Sequence, residues 1–544
     1  MDLSFSRAEE SFRQQLRSWL IANLPDGWGT DAFPEFDSLA DEVRFLIGWQ
    51  RRLNSGGWVG VHWPRAYGGR GATVIENYIL QEEFARSRAP EIIGRIGVNL
   101  VGPTLIAHGA EEQKRRYLPK LATAEWIAAY ALSEPHAGSD ALAARTRADL
   151  SADGTHYLLN GQKMWITNGG AADLITVFAK VGGEKFTAFL VERGFGGVTS
   201  GAEEKKMGIK GSSTTAIYLD NVRVPVENVL GEIGRGHIIA FNILNVGRLK
   251  LGPFATGAAK RVLAESAQYA KERVAFGHPI GDFGAIQYKL AEMAIRIYVA
   301  ESMIWRTVGL IAPEESLKTI EEFAIECSIV KVWASEMLDY VVDEGVQIHG
   351  GYGYHQDYTV ERAYRDSRIN RIFEGTNEIN RLLIPGMLFK RAMRGQLPLV
   401  AAAQKVMGEI LSTPPPASGD EELRLVANAK KIALLTMGLA YQRYLAALEQ
   451  QQELLMAIAD IIMECFAMES TLLRTRKTGQ SAAIASVFLR DAMGRIEIGA
   501  RTALAACSEG DALRTNMAVL RRYTKYDPVD AIALRRQIAA SRLF

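Results

Sequence analysis

The sequence predicts an α+β multidomain protein: a helical segment, a β-rich segment, a second helical segment, a proline-rich linker and a last helical segment. Three observations lead there. Apolar residues recur at helical spacing through roughly the first 125 residues. From Trp126 to about Leu230, short β-rich runs separated by turn residues replace that pattern. Helical periodicity returns near His237, lasts to about Met393, and resumes after Thr413-Pro414-Pro415-Pro416-Ala417-Ser418-Gly419, where three prolines followed by small residues mark a boundary. A chain of 544 residues is expected to form several domains, because single cores stop growing near ~250–300 residues. The expected boundaries are 1–127, 128–236, 237–395, a linker at 396–420, and 421–544.

The first helix is announced by Ser6-Arg7-Ala8-Glu9, a capping box with Phe5 placed as a hydrophobic staple. Phe12, Leu16, Trp19 and Leu20 then follow on one helical face. Further helices are predicted over Leu39–Leu53, Val74–Arg88 and Glu111–Leu121, with a glycine-rich loop at Tyr67-Gly68-Gly69-Arg70-Gly71. In the second segment the runs Tyr157–Leu159, Met164–Thr167, Leu174–Ala179, Phe186–Val191 and Ala216–Leu219 read as strands, and Asp153-Gly154 and Asn168-Gly169 as turns. Near the C-terminus Leu454, Ile458, Ile461, Cys465, Met468 and Leu472 form one apolar stripe followed by Arg474, Arg476 and Lys477. Such a stripe either fills a bundle core or docks on a membrane surface through residues 454–477.

Composition excludes several classes. A formal net charge of +1 gives no sign imbalance of the kind nucleic-acid partners select. Three dispersed cysteines, Cys327, Cys465 and Cys507, fit a reducing compartment and no disulfide framework. No uncharged apolar run approaches the ~18 residues needed to span a bilayer. Because helix signals begin almost at Met1, no signal or transit segment is expected, and the expected location is a bacterial cytoplasm, with peripheral contact to the inner membrane if the stripe docks. No G-x-G-x-x-G argues for a nicotinamide cofactor. The eight histidines are scattered, and His349 and His355 lack a plausible third ligand, so no metal is expected.

Three segments concentrate chemistry. Leu132-Ser133-Glu134-Pro135-His136-Ala137-Gly138-Ser139-Asp140 follows a strand-like run; its N–H groups and small hydroxyls suit phosphate or an oxygen-rich ring edge, and equally a capped turn. Lys163-Met164-Trp165-Ile166-Thr167-Asn168-Gly169-Gly170 places an indole and a hydroxyl before a tight turn; the indole can lie against a ring system or be core. Gln347-Ile348-His349-Gly350-Gly351-Tyr352-Gly353 is followed, about twenty residues on, by Arg371-Ile372-Phe373-Glu374-Gly375-Thr376-Asn377-Glu378. A glycine beside Glu374 lets the backbone approach a ligand, and Phe373 can desolvate the carboxylate and raise its pKa toward general-base work.

Taken together, in this order and at these separations, the three segments resemble the signature of the acyl-CoA dehydrogenase family. From Leu118 to Arg381 the chain is similar to its very-long-chain branch, notably at Phe189–Gly197, Glu204–Lys210, Arg273-Val274-Ala275-Phe276-Gly277 and Phe283-Gly284-Ala285-Ile286-Gln287. The helical extension after the proline linker stands at the same place in that branch. The resemblance implies the acyl-CoA dehydrogenase fold: an N-terminal helical domain, a middle β-barrel-like domain, a C-terminal four-helix bundle and an extra C-terminal helical domain.

It also implies residue roles. Tyr130, Leu132, Ser133, Gly138 and Ser139 would line the FAD pyrophosphate and ring edge, with Ser139 also near the CoA portion of the substrate. Trp165 and Thr167 would stack on the isoalloxazine and hydrogen-bond near its N5. Arg273, Phe276, Gln347, Gly350 and Gly351 would grip the adenine half of an FAD held mainly by a neighbouring subunit, and Thr376 and Glu378 would touch its diphosphate or ribose. Asn245, Arg248 and Gly375 would lie along the acyl-CoA, and Glu374 would be the catalytic base. Some branches carry the base beside the arginine matched by Arg248; here that position is Gly247. Ala275 stands where many members carry a polar residue.

The implied reaction is α,β-dehydrogenation of an acyl-CoA to a trans-2-enoyl-CoA in fatty acid β-oxidation, on medium to long chains, with electrons passed to an electron-transfer flavoprotein. A homodimer is expected, because in the similar branch the extension covers the surface other members use to form tetramers. Gly94, Gly97 and Gly102 are expected to leave room for a long acyl chain. The alternatives are an acyl-CoA oxidase on the same scaffold and an assembly protein that retains the fold without turnover.

Overall fold

The computed structural model describes residues 5–28, 33, 36–87, 89–311, 317–409 and 419–543. They form two compact units, one of Phe5–Gly247 with Ile311–Glu321, the other of Arg248–Leu310 with Glu322–Phe544.

The first unit joins helices to a sheet. Helices Arg7–Asn23, Leu39–Ser55, Val74–Ser87 and Glu111–Ala122 fall within two residues of the expected bounds. The capping box at Ser6 forms, Glu9 N–H donating to Ser6 Oγ and Ser6 N–H to Glu9 Oε2. Phe5 does not staple to the residue four positions into the helix, which is Glu10 and has no apolar face to offer; the Arg13 guanidinium stacks on its ring instead, 4.1 Å from the centroid.

The strands are β1 (Ala128–Ala131), β2 (Arg147–Leu150), β3 (His156–Thr167), β4 (Leu174–Val181), β5 (Lys185–Glu192), β6 (Val198–Ser200), β7 (Thr214–Pro225) and β8 (Val229–Leu230). Their order is β6-β7-β3-β2-β4-β5-β8, with β1 parallel to β4. The runs expected at Tyr157–Leu159 and Met164–Thr167 are one long strand. Alternation along β4 and β5 divides the sheet: Leu174, Phe178, Ala188 and Leu190 join Trp49, Trp58, Trp63 and Leu118 in a core shared with the helices. Ile175, Val177, Phe189 and Val191 face the other way, into a second core.

Gly94 and Gly102 do not leave room for a ligand. A Cβ on Gly102 would meet Trp63 Cζ2 at 2.2 Å, and one on Gly94 would meet Gln50 Nε2 at 2.7 Å. Gly97 opens a π-helical turn, Gly97–Val101, against Leu121. These glycines admit the protein's own side chains.

In the second unit, helices Gly284–Ile311, Ala324–His349 and Asn377–Met393 pack with the later turns of Gly236–Glu272. Gly252 marks one crossing, where a Cβ would lie 2.7 Å from Val330 and 2.9 Å from Ile304. The Pro-Pro-Pro segment lies outside the described residues, but Leu399–Glu409, placed in the linker by the sequence reading, is a helix. Its Leu-Val-Ala-Ala-Ala run is helix-forming, and Ala403 and Val406 are buried. Helices Glu421–Tyr444, Gln452–Thr478, Ala482–Cys507, Gly510–Tyr523 and Ala531–Leu543 follow. The stripe Leu454 to Leu472 is bundle core: all six residues are buried, and the membrane-docking reading of 454–477 loses its apolar face. Met437, Leu454, Leu455 and Ile458 pack with Leu382, Leu388 and Phe389, so the appended helices share a core with the Asn377–Met393 helix. No helix among the described residues is long and apolar enough to cross a membrane.

Candidate active site

Glu374, in the second unit, combines an unusual backbone conformation with a raised pKa. It has φ 58° and is followed by Gly375 at φ 76°, two successive residues in the left-handed region. For a residue with a Cβ that conformation costs about 1 kcal/mol or more and persists only where surroundings enforce it. Three polar side chains do so. Arg248 Nε donates to the Glu374 carbonyl at 3.0 Å. Lys331 Nζ donates to the Gly375 carbonyl at 2.8 Å. Asn380 Nδ2 lies 3.4, 2.8 and 3.0 Å from the carbonyls of Glu374, Gly375 and Thr376. Gly375 is required at its position both by its φ and by space, since a Cβ there would crowd Asn380 at 3.2 Å and Arg248 at 3.4 Å. Thr376 then caps the Asn377–Met393 helix, its hydroxyl accepting from Ile379 N–H.

Both cations beneath the loop thus donate to backbone carbonyls. The Glu374 carboxylate has a buried oxygen, Oε2, with no hydrogen-bond partner. Burial pushes its pKa up to about 7, against the opposing pull of Arg248 and Lys331. Burial likewise draws Lys331 down to about 8, with Arg248 adding to the effect. Phe373, expected to desolvate the carboxylate, is itself 41% exposed. A half-buried carboxyl with one buried, unpaired oxygen and a pKa pushed up to about 7 is suited to taking a proton from carbon. No metal-binding cluster occurs among the described residues.

A cleft of about 690 Å³ opens in the same unit, lined by Tyr269, Arg273, His349, Gly350, Gly351 and Tyr352 among others. His349 stacks on Tyr269 at 4.2 Å between centroids, and its Nδ1 lies 2.7 Å from the Gly345 carbonyl. Gln347 is exposed and does not line the cleft, nor does Phe276, which sits at φ 55° in a two-residue hairpin turn with its ring 93% exposed. Glu378 is exposed in the first turn of its helix.

In the first unit, the Ser133–Ser139 and Trp165–Thr167 segments are brought together. Met164 N–H donates to the Ser133 carbonyl at 3.0 Å. Lys163, fully buried, donates to Glu134 Oε1 at 2.7 Å, to the Phe178 carbonyl at 2.6 Å and to the Leu132 carbonyl at 3.3 Å. Glu134 also accepts from Arg145 N–H, Thr146 N–H and Thr146 Oγ1. Next to this brace β3 carries one more residue than β7 between Lys163 and Ile166. That bulge holds Trp165 at φ 61° with its indole 60% exposed. A tryptophan so exposed is not part of either core. Tyr130 and Leu132 are half-buried at the end of β1, Ser133 and Thr167 half-buried beside them, and Gly138 and Ser139 exposed, with nothing within 4 Å of a Cβ on Gly138. Asn245 and Arg248 are both buried on the Gly236–Glu272 helix.

Sequence reasoning assigned no role to Lys331, Asn377, Asn380, Lys163 or Glu134. A lysine inside Ile329-Val330-Lys331-Val332 was the available signal, since a charge in an apolar run has a partner or a purpose.

Comparison with known proteins identifies this fold. Family models described as the acyl-CoA dehydrogenase N-terminal, middle and C-terminal domains match residues 7–125, 129–222 and 234–387. A second model, also described as an acyl-CoA dehydrogenase C-terminal domain, matches 428–522. A probable acyl-CoA dehydrogenase of Bacillus subtilis is 47% identical over 541 residues, covering 94% of this chain and 90% of that protein. The bovine mitochondrial very long-chain specific acyl-CoA dehydrogenase is 46% identical over 318 residues, 55% of this chain and 48% of its own length. The crystal structure of a Bacillus anthracis acyl-CoA dehydrogenase complexed with FAD superposes with a TM-score of 0.91 at 44% identity, covering 99% of this chain and 95% of that one. The chain belongs to the acyl-CoA dehydrogenase family, a family of oxidoreductases.

Proposed function

We propose that this protein is an FAD-dependent acyl-CoA dehydrogenase in which Glu374 removes the α-proton of a medium- to long-chain acyl-CoA, yielding a trans-2-enoyl-CoA for fatty acid β-oxidation. The observation that carries the reading is the half-buried Glu374 carboxyl: its inner oxygen Oε2 is buried and unpaired, its pKa is pushed up to about 7, and the adjacent cations donate to backbone carbonyls. A base needs a free lone pair, and this arrangement keeps one.

The residues present fit FAD. Trp165 offers an exposed indole face and Thr167 a hydroxyl two residues on; Ser133, Gly138 and Ser139 offer small side chains and open backbone. The cleft containing Arg273, Gly350 and Gly351 joins a guanidinium to aromatic rings and to glycines that nothing crowds, as a nucleotide half requires. When bound, FAD supplies acceptance of the hydride lost from the β-carbon. The protein's own work is to hold the proton acceptor at Glu374, to keep it desolvated and to orient the thioester. Arg248 steadies the base through its carbonyl, and Asn245 and Gly375 lie along the acyl-CoA in this reading. Gln347, Phe276, Thr376 and Glu378 are proposed to reach FAD only in the assembled protein.

A homodimer agrees with the exposure of the large apolar side chains Val274, Phe276 and Tyr354 in the second unit. Similarity to the very-long-chain relative supports the longer acyl chains, and an electron-transfer flavoprotein is the proposed acceptor. Anaerobic bleaching of the bound flavin by a panel of acyl-CoAs tests the reading. Bleaching by the longer straight chains supports it, and a flavin that no acyl-CoA reduces refutes it. Rapid reoxidation by oxygen without an electron-transfer flavoprotein would instead indicate an oxidase.

A further inference from the structure

The contacts beneath Glu374 continue outward through five side chains. Lys331 Nζ, which holds the Gly375 carbonyl, also donates to Asn377 Oδ1 at 2.7 Å. Asn377 Nδ2 donates to Glu336 Oε1 at 3.0 Å and to Ser335 Oγ at 3.1 Å. Both Glu336 oxygens accept from Arg381, at 2.6 and 2.9 Å. Arg381 Nε then donates to Asp460 Oδ1 at 2.7 Å. Lys331 and Asn377 are buried, Arg381 is nearly so at 13% exposure, and Asp460 is half-exposed at 51%. Asp460 stands on the Gln452–Thr478 helix, in the appended helical region.

We propose that Lys331 and Asn377 are positioning residues for Glu374, and that Asp460 anchors the outer end of the same chain of contacts, which makes the appended helices part of what sets the base's geometry. The inference rests on the reading of Glu374 as the base. Its physical ground is the left-handed pair at 374 and 375: two such residues in succession relax to a commoner conformation unless donors on several sides fix their carbonyls. Lys331 is the donor that fixes the Gly375 carbonyl from the Ala324–His349 helix. Its own place is fixed by Asn377, and that of Asn377 by Glu336 and Arg381. Arg381 grips Glu336 with two nitrogens of its planar fork, and its third bond, to Asp460, ties that grip to the appended helices. The shared core of Leu382, Leu388, Leu454 and Ile458 keeps the two helices in register along this line.

A plain alternative is that these groups only join helices. The two readings differ in what a variant changes. Around Glu374 the charged groups are Arg248 and Lys331; around Lys331 they are Arg248, Glu374, Glu336 and Glu378. Removing the Lys331 charge therefore raises the pKa at which Glu374 becomes competent, an effect that lost helix packing alone does not produce.

The experiment uses the full chain with flavin bound, reduced anaerobically by lauroyl-CoA in a stopped-flow instrument. Lys331→Met should slow the limiting rate of reduction about a hundredfold, leave half-saturation within about twofold, and move the acid limb of the pH profile upward. Asp460→Asn should slow it about three- to tenfold. Glu469→Gln is the control, because Glu469 is on the same helix and pairs with Arg306 at 2.8 Å but is not in the chain of contacts leading to Glu374; its rate should match wild type. Before substrate is added, hydrogen exchange of peptides spanning residues 374–380 should accelerate in Lys331→Met and Asp460→Asn and not in Glu469→Gln. An unchanged limiting rate in Lys331→Met, or Asp460→Asn and Glu469→Gln behaving alike, overturns the proposal. If Lys331→Met does not fold, the second comparison decides alone. If wild type itself is not reduced, the base assignment fails, while the exchange comparison still reports on support of the loop.

Discussion

Replacing Glu374 by Gln should make this protein more stable at pH 8 and change it little at pH 5. Gln has the shape and neutrality of the protonated carboxyl, so the variant isolates the cost of burying the charge. The folded protein holds the Glu374 proton up to about pH 7, whereas an unfolded chain releases it near 4.5. Between those values the folded form binds more protons than the unfolded one, so stability falls as pH rises through that window and stays lower above it. The gap amounts to about 3 kcal/mol at pH 8 and under about 1 kcal/mol at pH 5. Arg248 and Lys331 are already included, because the pKa reflects burial net of their attraction. The assay is denaturant unfolding of wild type and Glu374→Gln at both pH values with flavin content matched, compared by transition midpoint because two units need not unfold together. A variant no more stable than wild type at pH 8 would refute the reasoning, for it would mean that the carboxylate is solvated or paired.

Three further outcomes are expected. Trp165→Gly should relieve the strained φ and leave stability equal or up to about 1 kcal/mol higher, while costing about 1 kcal/mol of ring stacking and hence about fivefold in flavin affinity, read by equilibrium dialysis. Lys163→Met should strand Glu134 as a buried unpaired carboxylate and destabilise by about 3–5 kcal/mol, read as a lowered unfolding midpoint. Gly102→Ala should force a methyl into Trp63 and cost about 1–3 kcal/mol by the same measurement.

Much of the architecture was legible because it rests on local periodicity. The helices near residues 39, 74 and 111 and the strands β3, β4, β5 and β7 follow from spacing that burial of one face imposes, whereas the short strands β2, β6 and β8 carry too few residues to show it. The Ser6 cap was legible for the same reason, being local. What was not legible depends on groups distant in sequence. The stripe from Leu454 to Leu472 presents the same face whether lipid or protein covers it, and only the packing against Met437, Ala503 and Leu382 decides. Gly94 and Gly102 looked like space, but the rings and amides that fill it come from Gln50 and Trp63. Leu399–Glu409 was assigned to the linker because prolines flank it, although its composition favours a helix.

The site divides in the same way. Glu374 was reached through resemblance to a family, since a lone glutamate beside glycine carries no signal of its own. Its φ, its unpaired oxygen and its support by Lys331, Asn377 and Asn380 are tertiary facts. Phe373 was expected to desolvate it, and the ring is itself 41% exposed. Trp165 left core and ligand readings open in sequence, and its exposure at the bulge opposite Thr215–Ile217 removes the core reading.

The central claim is that Glu374 takes a proton from the carbon next to the thioester. It is tested most directly with an acyl-CoA whose β-carbon is replaced by sulfur, so that the α-proton can leave but no hydride can follow. Mixed with the oxidised flavoprotein, wild type should deprotonate this ligand and develop a long-wavelength charge-transfer band, while Glu374→Gln should bind it with similar affinity and develop none. An equal band in the variant would place the base elsewhere and contradict the account.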